Sequence, residues 1–75
     1  MVSKGFKVEK EGYILEVTDV ENITENIQCV DYIVRRGNRE LVEGFIYIMK
    51  NQNPNQVFNK LLTKLINAVK RVTST

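Results

Sequence analysis

Seventy-five residues with 43% apolar content and a net charge of +2 make one small domain, near the lower size at which a single core suffices. With no His, no Trp and one Cys, the chain cannot form a His-based triad, a common zinc site or an intrachain disulfide. The charge is unevenly spread: residues 1–50 carry seven Lys/Arg and nine Asp/Glu, whereas residues 51–75 carry four Lys/Arg and no acid.

The first elements have a period of two. Phe6 and Val8 alternate with Lys7 and Glu9, Glu11-Gly12 is a turn signal, and Tyr13, Leu15 and Val17 alternate with Ile14, Glu16 and Thr18. Strands over about 5–10 and 13–20 follow. A two-residue turn sets Lys10 against Tyr13, Val8 against Leu15, Phe6 against Val17, and Lys7 against Glu16 on the polar side. The N-terminus is charged and alternating, unlike a signal peptide, and the lone Cys29 suits a reducing compartment, so a cytoplasmic location is expected. In that setting the Asn22-Ile23-Thr24 sequon is a chance match, and Cys29 reads as a small buried hydrophobe.

After the polar stretch Glu21–Glu25, a second hairpin spans about 27–36 and 39–50 around Gly37-Asn38, a dipeptide suited to a tight primed turn. Regular pairing from that turn sets Arg35 against Glu40, Val34 against Leu41, Ile33 against Val42 and Val30 against Phe45. One face would then carry Cys29, Ile33, Val42, Ile46 and Ile48. The other would carry Val30, Tyr32, Val34, Leu41, Phe45 and Tyr47, with Arg36 and Arg39 at its turn end. Neither face is properly polar. A single helix can cover one of them, and the aliphatic face is the better candidate because its branched side chains leave no polar group to satisfy. The aromatic face is then left for a partner.

The last element is a helix over about 54–73. Asn53 can cap it, Pro54 suits its first position, and Gln56 is placed to reach back to the cap. Apolar residues recur at Val57, Phe58, Leu61, Leu62, Leu65, Ile66, Val69 and Val72, with Lys60, Lys64 and Arg71 on the opposite side. The apolar arc spans about half the circumference, wider than a coiled-coil seam requires. No run approaches the roughly 20 apolar residues that span a bilayer, so no membrane association is expected. The fold class is therefore α+β: a four-stranded antiparallel meander followed by one long C-terminal helix, in a single domain.

Chemistry-bearing motifs are absent. There is no phosphate-binding glycine loop, no nucleophile elbow and no His for proton transfer, so no enzyme activity, cofactor or metal is expected. Binding is the better-supported class. Single-stranded nucleic acid is held by aromatic side chains stacked on bases and by cations that follow the phosphates. Tyr32 and Tyr47 supply the first, and Lys7, Arg36, Arg39, Lys60, Lys64 and Arg71 the second. Glu43, set across from Tyr32 in this register, and Glu9 and Glu16 oppose that reading.

The helix opening Asn53-Pro54-Asn55-Gln56, the apolar positions Val57, Leu61 and Leu65, the ending Ala68-Val69-Lys70-Arg71-Val72, and the preceding Gly44-Phe45-Ile46 together resemble the single-stranded DNA-binding domain of the transcriptional coactivator positive cofactor four and its small bacterial and phage relatives. The layout is similar over most of the chain, the residue match over about its last third. The resemblance implies a homodimer with helices and last strands at the interface, here Phe58, Leu62, Ile66 and Val69, and binding of single-stranded DNA or RNA with little sequence preference. The chain departs from the family where an aromatic residue usually follows the helix opening, since Val57 stands there, and where a lysine-rich turn is replaced by Glu21–Glu25. Three readings stay open: a nucleic-acid-binding homodimer, a protein-interaction module or small phage-type or regulatory inhibitor with an unidentified partner, and a structural dimer without a ligand.

Overall fold

The computed structural model describes residues 2–73. Strands β1 (Lys7–Lys10), β2 (Tyr13–Asn22), β3 (Ile27–Arg36) and β4 (Arg39–Met49) form an antiparallel sheet in the order β1-β2-β3-β4, and helix α1 (Pro54–Thr73) follows. The expected α+β meander with a C-terminal helix packed on the sheet is the fold. The expected pairs Lys10–Tyr13, Val8–Leu15 and Lys7–Glu16 form as read. Phe6 lies just outside β1, but its carbonyl accepts from the Val17 amide at 2.8 Å.

Both hairpin turns owe their shape to backbone with positive φ. Glu11 and Gly12 sit at φ 53° and 82°, and Gly37 at 62°, which gives two-residue loops whose twist matches the flanking strands. Arg36 pairs with Arg39 and Arg35 with Glu40, as the turn predicts.

Beyond Glu40 the register differs from regular pairing. Leu41 is an extra residue, so Val34 meets Val42, Ile33 meets Glu43, Tyr32 meets Gly44 and Val30 meets Ile46. The expected pairs Val34–Leu41, Ile33–Val42 and Val30–Phe45 do not form. The physical reason is Glu43. Unbroken pairing would set this carboxylate against the buried Tyr32 ring on the inner face, and desolvating an unpaired charge costs far more than one bulge. A second irregularity between Val17 and Asp19 does the same for β2, keeping Asp19 and Glu21 out of the core while Val20 meets Val30.

The two bulges redefine both faces. Val30, Tyr32, Val34 and Ile48 lie buried with Leu15 and Val17 beneath Phe58, Leu62 and Ile66. The helix thus covers the face that carries Tyr32, not the Cys29–Ile33 face expected to receive it. Each fully enclosed side chain, such as Leu15, Phe58 or Leu62, contributes about 1.5–3 kcal/mol over remaining in water. The Phe6 and Phe58 rings meet at 5.7 Å between centroids, tilted by 50°.

Asn53 caps the helix as expected, its Oδ1 accepting from the Asn55 amide at 2.9 Å and the Gln56 amide at 3.4 Å. At the opposite end of the chain, buried Gln28 accepts from the Val2 amide at 3.3 Å and donates to the Val2 carbonyl at 3.4 Å, tying the first described residue to β3.

Gly44 has a packing role. A Cβ added there would lie 2.8 Å from the Tyr32 hydroxyl and 3.1 Å from the adjoining ring carbon, so the Tyr32 ring occupies the space that a side chain would need. Gly44→Ala should lower stability by about 1–3 kcal/mol in urea unfolding, because the buried ring has little room to move. Unchanged stability would show that Tyr32 does not lie across β4.

Candidate functional site

Two surfaces of the molecule remain apolar after the core is closed. The first is the sheet face away from the helix. Across it run rows set by the register: Glu16–Ile33–Glu43, Asp19–Asp31–Phe45, and Glu21–Cys29–Tyr47, with Ile27–Met49 beyond. Strand β2 therefore presents a column of carboxylates, and β4 a column of large apolar side chains. Phe45, Tyr47 and Met49 are 59%, 64% and 50% exposed, and the Phe45 and Tyr47 rings meet edge to face at 6.0 Å.

The second surface lies on the helix side. Helix α1 packs over β1 and β2. The inner face of edge strand β4 is less completely covered, and an open groove runs between that strand and the helix. One stretch, of roughly 630 Å³, is bordered by Ile46, Tyr47, Val57, Lys60, Leu61 and Lys64. A second, of roughly 250 Å³, is bordered by Leu41, Val42, Leu65, Ala68, Val69 and Val72. The apolar arc of the helix thus has two parts. Phe58, Leu62 and Ile66 face the chain's own sheet, while Val57, Leu61, Leu65 and Ala68 flank the groove.

The residues expected to bind nucleic acid are not brought together. Tyr32 is 7% exposed and lies in the core, while Tyr47 stands on the opposite face. These two rings cannot stack bases on one platform, and the bulge at Leu41 is the reason. Arg36 lies over the Tyr13 ring at 4.9 Å and donates to its hydroxyl at 3.3 Å. Arg39 pairs with it across the hairpin end, about 26 Å along the strand from Tyr47 at the usual rise per residue. Lys7 is exposed on β1 opposite Glu16. Lys60 and Lys64 are exposed beside the groove, and Arg71 is exposed in the last helical turn.

Of the residues assigned to a dimer contact, Phe58, Leu62 and Ile66 are consumed by the intrachain core, because they are the side chains that roof Leu15 and Val30. Val69 alone of the four borders the groove. Phe45 was read from the sequence as part of an uncovered face and is exposed there, whereas Met49 and Asp31, which also define the open face, were not singled out. Their signal was the awkward placement of Glu43 and Asp19 in regular pairing, which a bulge resolves.

Titratable groups on these surfaces are set by simple contacts. Burial raises the Cys29 thiol, with Asp31 and Glu21 adding to the effect, so the sulfur stays protonated at neutral pH and is a poor nucleophile. The side-chain hydrogen bond from Arg35 lowers the Glu16 carboxyl below its ordinary value of 4.5, and that from Lys70, at 3.0 Å, does the same for Glu11. Among the described residues no group of three His, Cys, Asp or Glu could hold a metal ion, and no helix is long and apolar enough to cross a membrane. Set against known proteins, the chain matches no family model, no curated protein and no solved structure.

Because both glutamates are depressed in the folded state, their ion pairs stabilise fully above the ordinary glutamate value and lose that contribution as pH falls through the lowered ones. Stability should therefore decline as pH falls below about 5, toward the lowered values. Glu16→Gln should make urea midpoints fall less steeply over that interval, and an unchanged slope would mean that the Arg35 contact is not populated in solution.

Proposed function

We propose that this chain is a non-enzymatic binding protein that works as a homodimer, its two copies joined along the groove between α1 and β4. The observation that carries the proposal is the incomplete roof. One helix lies over the β1–β2 half of the inner face, and its apolar flank, with Val42 and Ile46 of the edge strand, borders a space open to solvent. A second helix related by a two-fold axis supplies the same apolar flank in return, which is how an isologous interface satisfies both partners at once. The resemblance in layout to dimeric single-stranded DNA-binding domains points the same way, with the contact carried by Leu61, Leu65, Ala68 and Val69 in place of the buried Phe58, Leu62 and Ile66.

Sedimentation equilibrium should return twice 8.7 kDa. Ala68 is exposed in α1, so Ala68→Glu adds a charge at the groove without touching the core. That variant should keep its melting transition and sediment as one copy. A wild-type particle of one copy at high concentration would refute the pairing.

A second reading concerns the ligand, and charge separation favours it. The helix side carries Lys60, Lys64 and Arg71 in a segment without acids, and Tyr47 borders the same groove as the two lysines. Single-stranded nucleic acid would lie along this side, its phosphates on the cations, and not on the acidic sheet face. An oligonucleotide should bind at low salt and dissociate as salt rises. Lys60→Glu with Lys64→Glu should reduce both the affinity and the salt slope. No binding by the wild-type protein at micromolar concentration and low salt would remove nucleic acid as the ligand.

A further inference from the structure

We infer that the open sheet face is a docking site for a protein partner that presents a cationic amphipathic helix, the apolar stripe of that helix seated on Phe45, Tyr47 and Met49 and its Lys/Arg flank over the carboxylates of β2. The inference stands whether or not two copies pair across the groove, because Phe45, Met49 and the β2 carboxylates lie outside the groove, and only Tyr47, at the edge of the sheet, touches both surfaces.

Three observations support it. Phe45, Tyr47 and Met49 project from one strand at alternate positions, so they form a continuous apolar column about 13 Å long. Large apolar side chains scattered singly need no explanation, but a contiguous column of three on an uncovered face marks a contact surface. The charge beside that column is one-sided. Asp19, Glu21, Asp31 and Glu43 enter no ion pair among the described residues, and Asp19 stands directly opposite Asp31 across the β2–β3 ladder. Like charges so placed repel in the free protein, and a cation between them relieves that repulsion. The nearby basic groups do not neutralise them, since Arg35 is held by Glu16 and Lys7, on the neighbouring β1, stands opposite that same Glu16.

The spacing then selects the shape of the partner. The carboxylate column on β2 and the apolar column on β4 are two strands apart, about 10 Å. That separation matches the width of a helix, about 10–12 Å across. A helix lying along β4 with its stripe downward brings residues on one flank over Glu21 and Asp19. Nucleic acid is excluded by the sign of the charge. The chain's own α1 has a comparable arrangement, with Leu61 and Leu65 next to Lys60 and Lys64. Its flank is already half-buried beside β4, and seating it on the sheet of another copy would generate an open-ended array of chains in place of a closed pair.

The test is a fluorescence titration with a synthetic amphipathic helical peptide of leucine and lysine, with a leucine–glutamate peptide of the same pattern as control. The wild-type chain should bind the lysine peptide saturably, more weakly as salt rises, and ignore the control. Asp19→Asn with Asp31→Asn should weaken binding by about tenfold or more, as should Tyr47→Ser, each keeping a cooperative melting transition. Ala68→Glu should leave peptide affinity unchanged, which separates this face from the dimer groove. The inference is overturned by absence of saturable binding, by equal binding of the two peptides, or by undiminished affinity in the Asp19→Asn, Asp31→Asn variant. Wild-type assemblies larger than two copies that Tyr47→Ser disperses would also overturn it, by assigning the face to the helix of another copy.

Discussion

The constraint on which the rest of the structure depends is that Glu43 and Asp19 must stay out of the core. Both carboxylates fall, in unbroken pairing, on the helix side of the sheet, Glu43 against the Tyr32 ring. One additional residue in β4 and one in β2 turn them outward. Because side chains alternate with a period of two, each single insertion reverses every later side chain on its strand. The same step that frees Glu43 sends Phe45, Tyr47 and Met49 to the open face and brings Gly44 and Ile46 to the inner face. Tyr32 then has a glycine opposite it, and its ring fills the vacancy. Core composition, the placement of the exposed aromatics and the acidity of the open face all follow from two residues.

Most of the architecture was legible in the sequence. Alternation in Phe6–Thr18, the Gly37-Asn38 turn and the capped, periodic segment from Asn53 specify the elements and their order, because each is fixed by local backbone and hydrophobic pattern. The first hairpin register was legible for the same reason. The second was not. Val30, Tyr32 and Val34 are as apolar as Cys29 and Ile33, so apolar content did not say which side faces inward. The deciding signal was the cost of a buried carboxylate, a tertiary effect that pattern alone does not weigh. The grouping of the two tyrosines turned on the same point. Tyr32 and Tyr47 share a face only if β4 pairs without a bulge.

The helix shows a related division. A broad apolar arc can serve a core or a core plus a partner, and its periodicity does not apportion the two. Here Phe58, Leu62 and Ile66 meet the sheet while Val57, Leu61 and Leu65 are left at the margin of a groove. The position of α1 over β1 and β2 is consistent with the short β1 and the side-chain bonds that anchor that edge, from Lys10 to Thr63 and from Lys70 to Glu11. The outcome is a molecule with a cationic helix side and an acidic, aromatic sheet side. Separating the charges in this way makes the two sides chemically distinct surfaces.

The account rests on which tyrosine is inside. Solvent paramagnetic relaxation, read on the aromatic protons with a neutral probe, measures that directly. The account predicts strong broadening at Tyr47 and Phe45 and near-complete protection at Tyr32 and Phe58. Equal broadening, or equal protection, of Tyr32 and Tyr47 in a single-copy sample would contradict it, since the two rings share a face only if β4 pairs without its bulge.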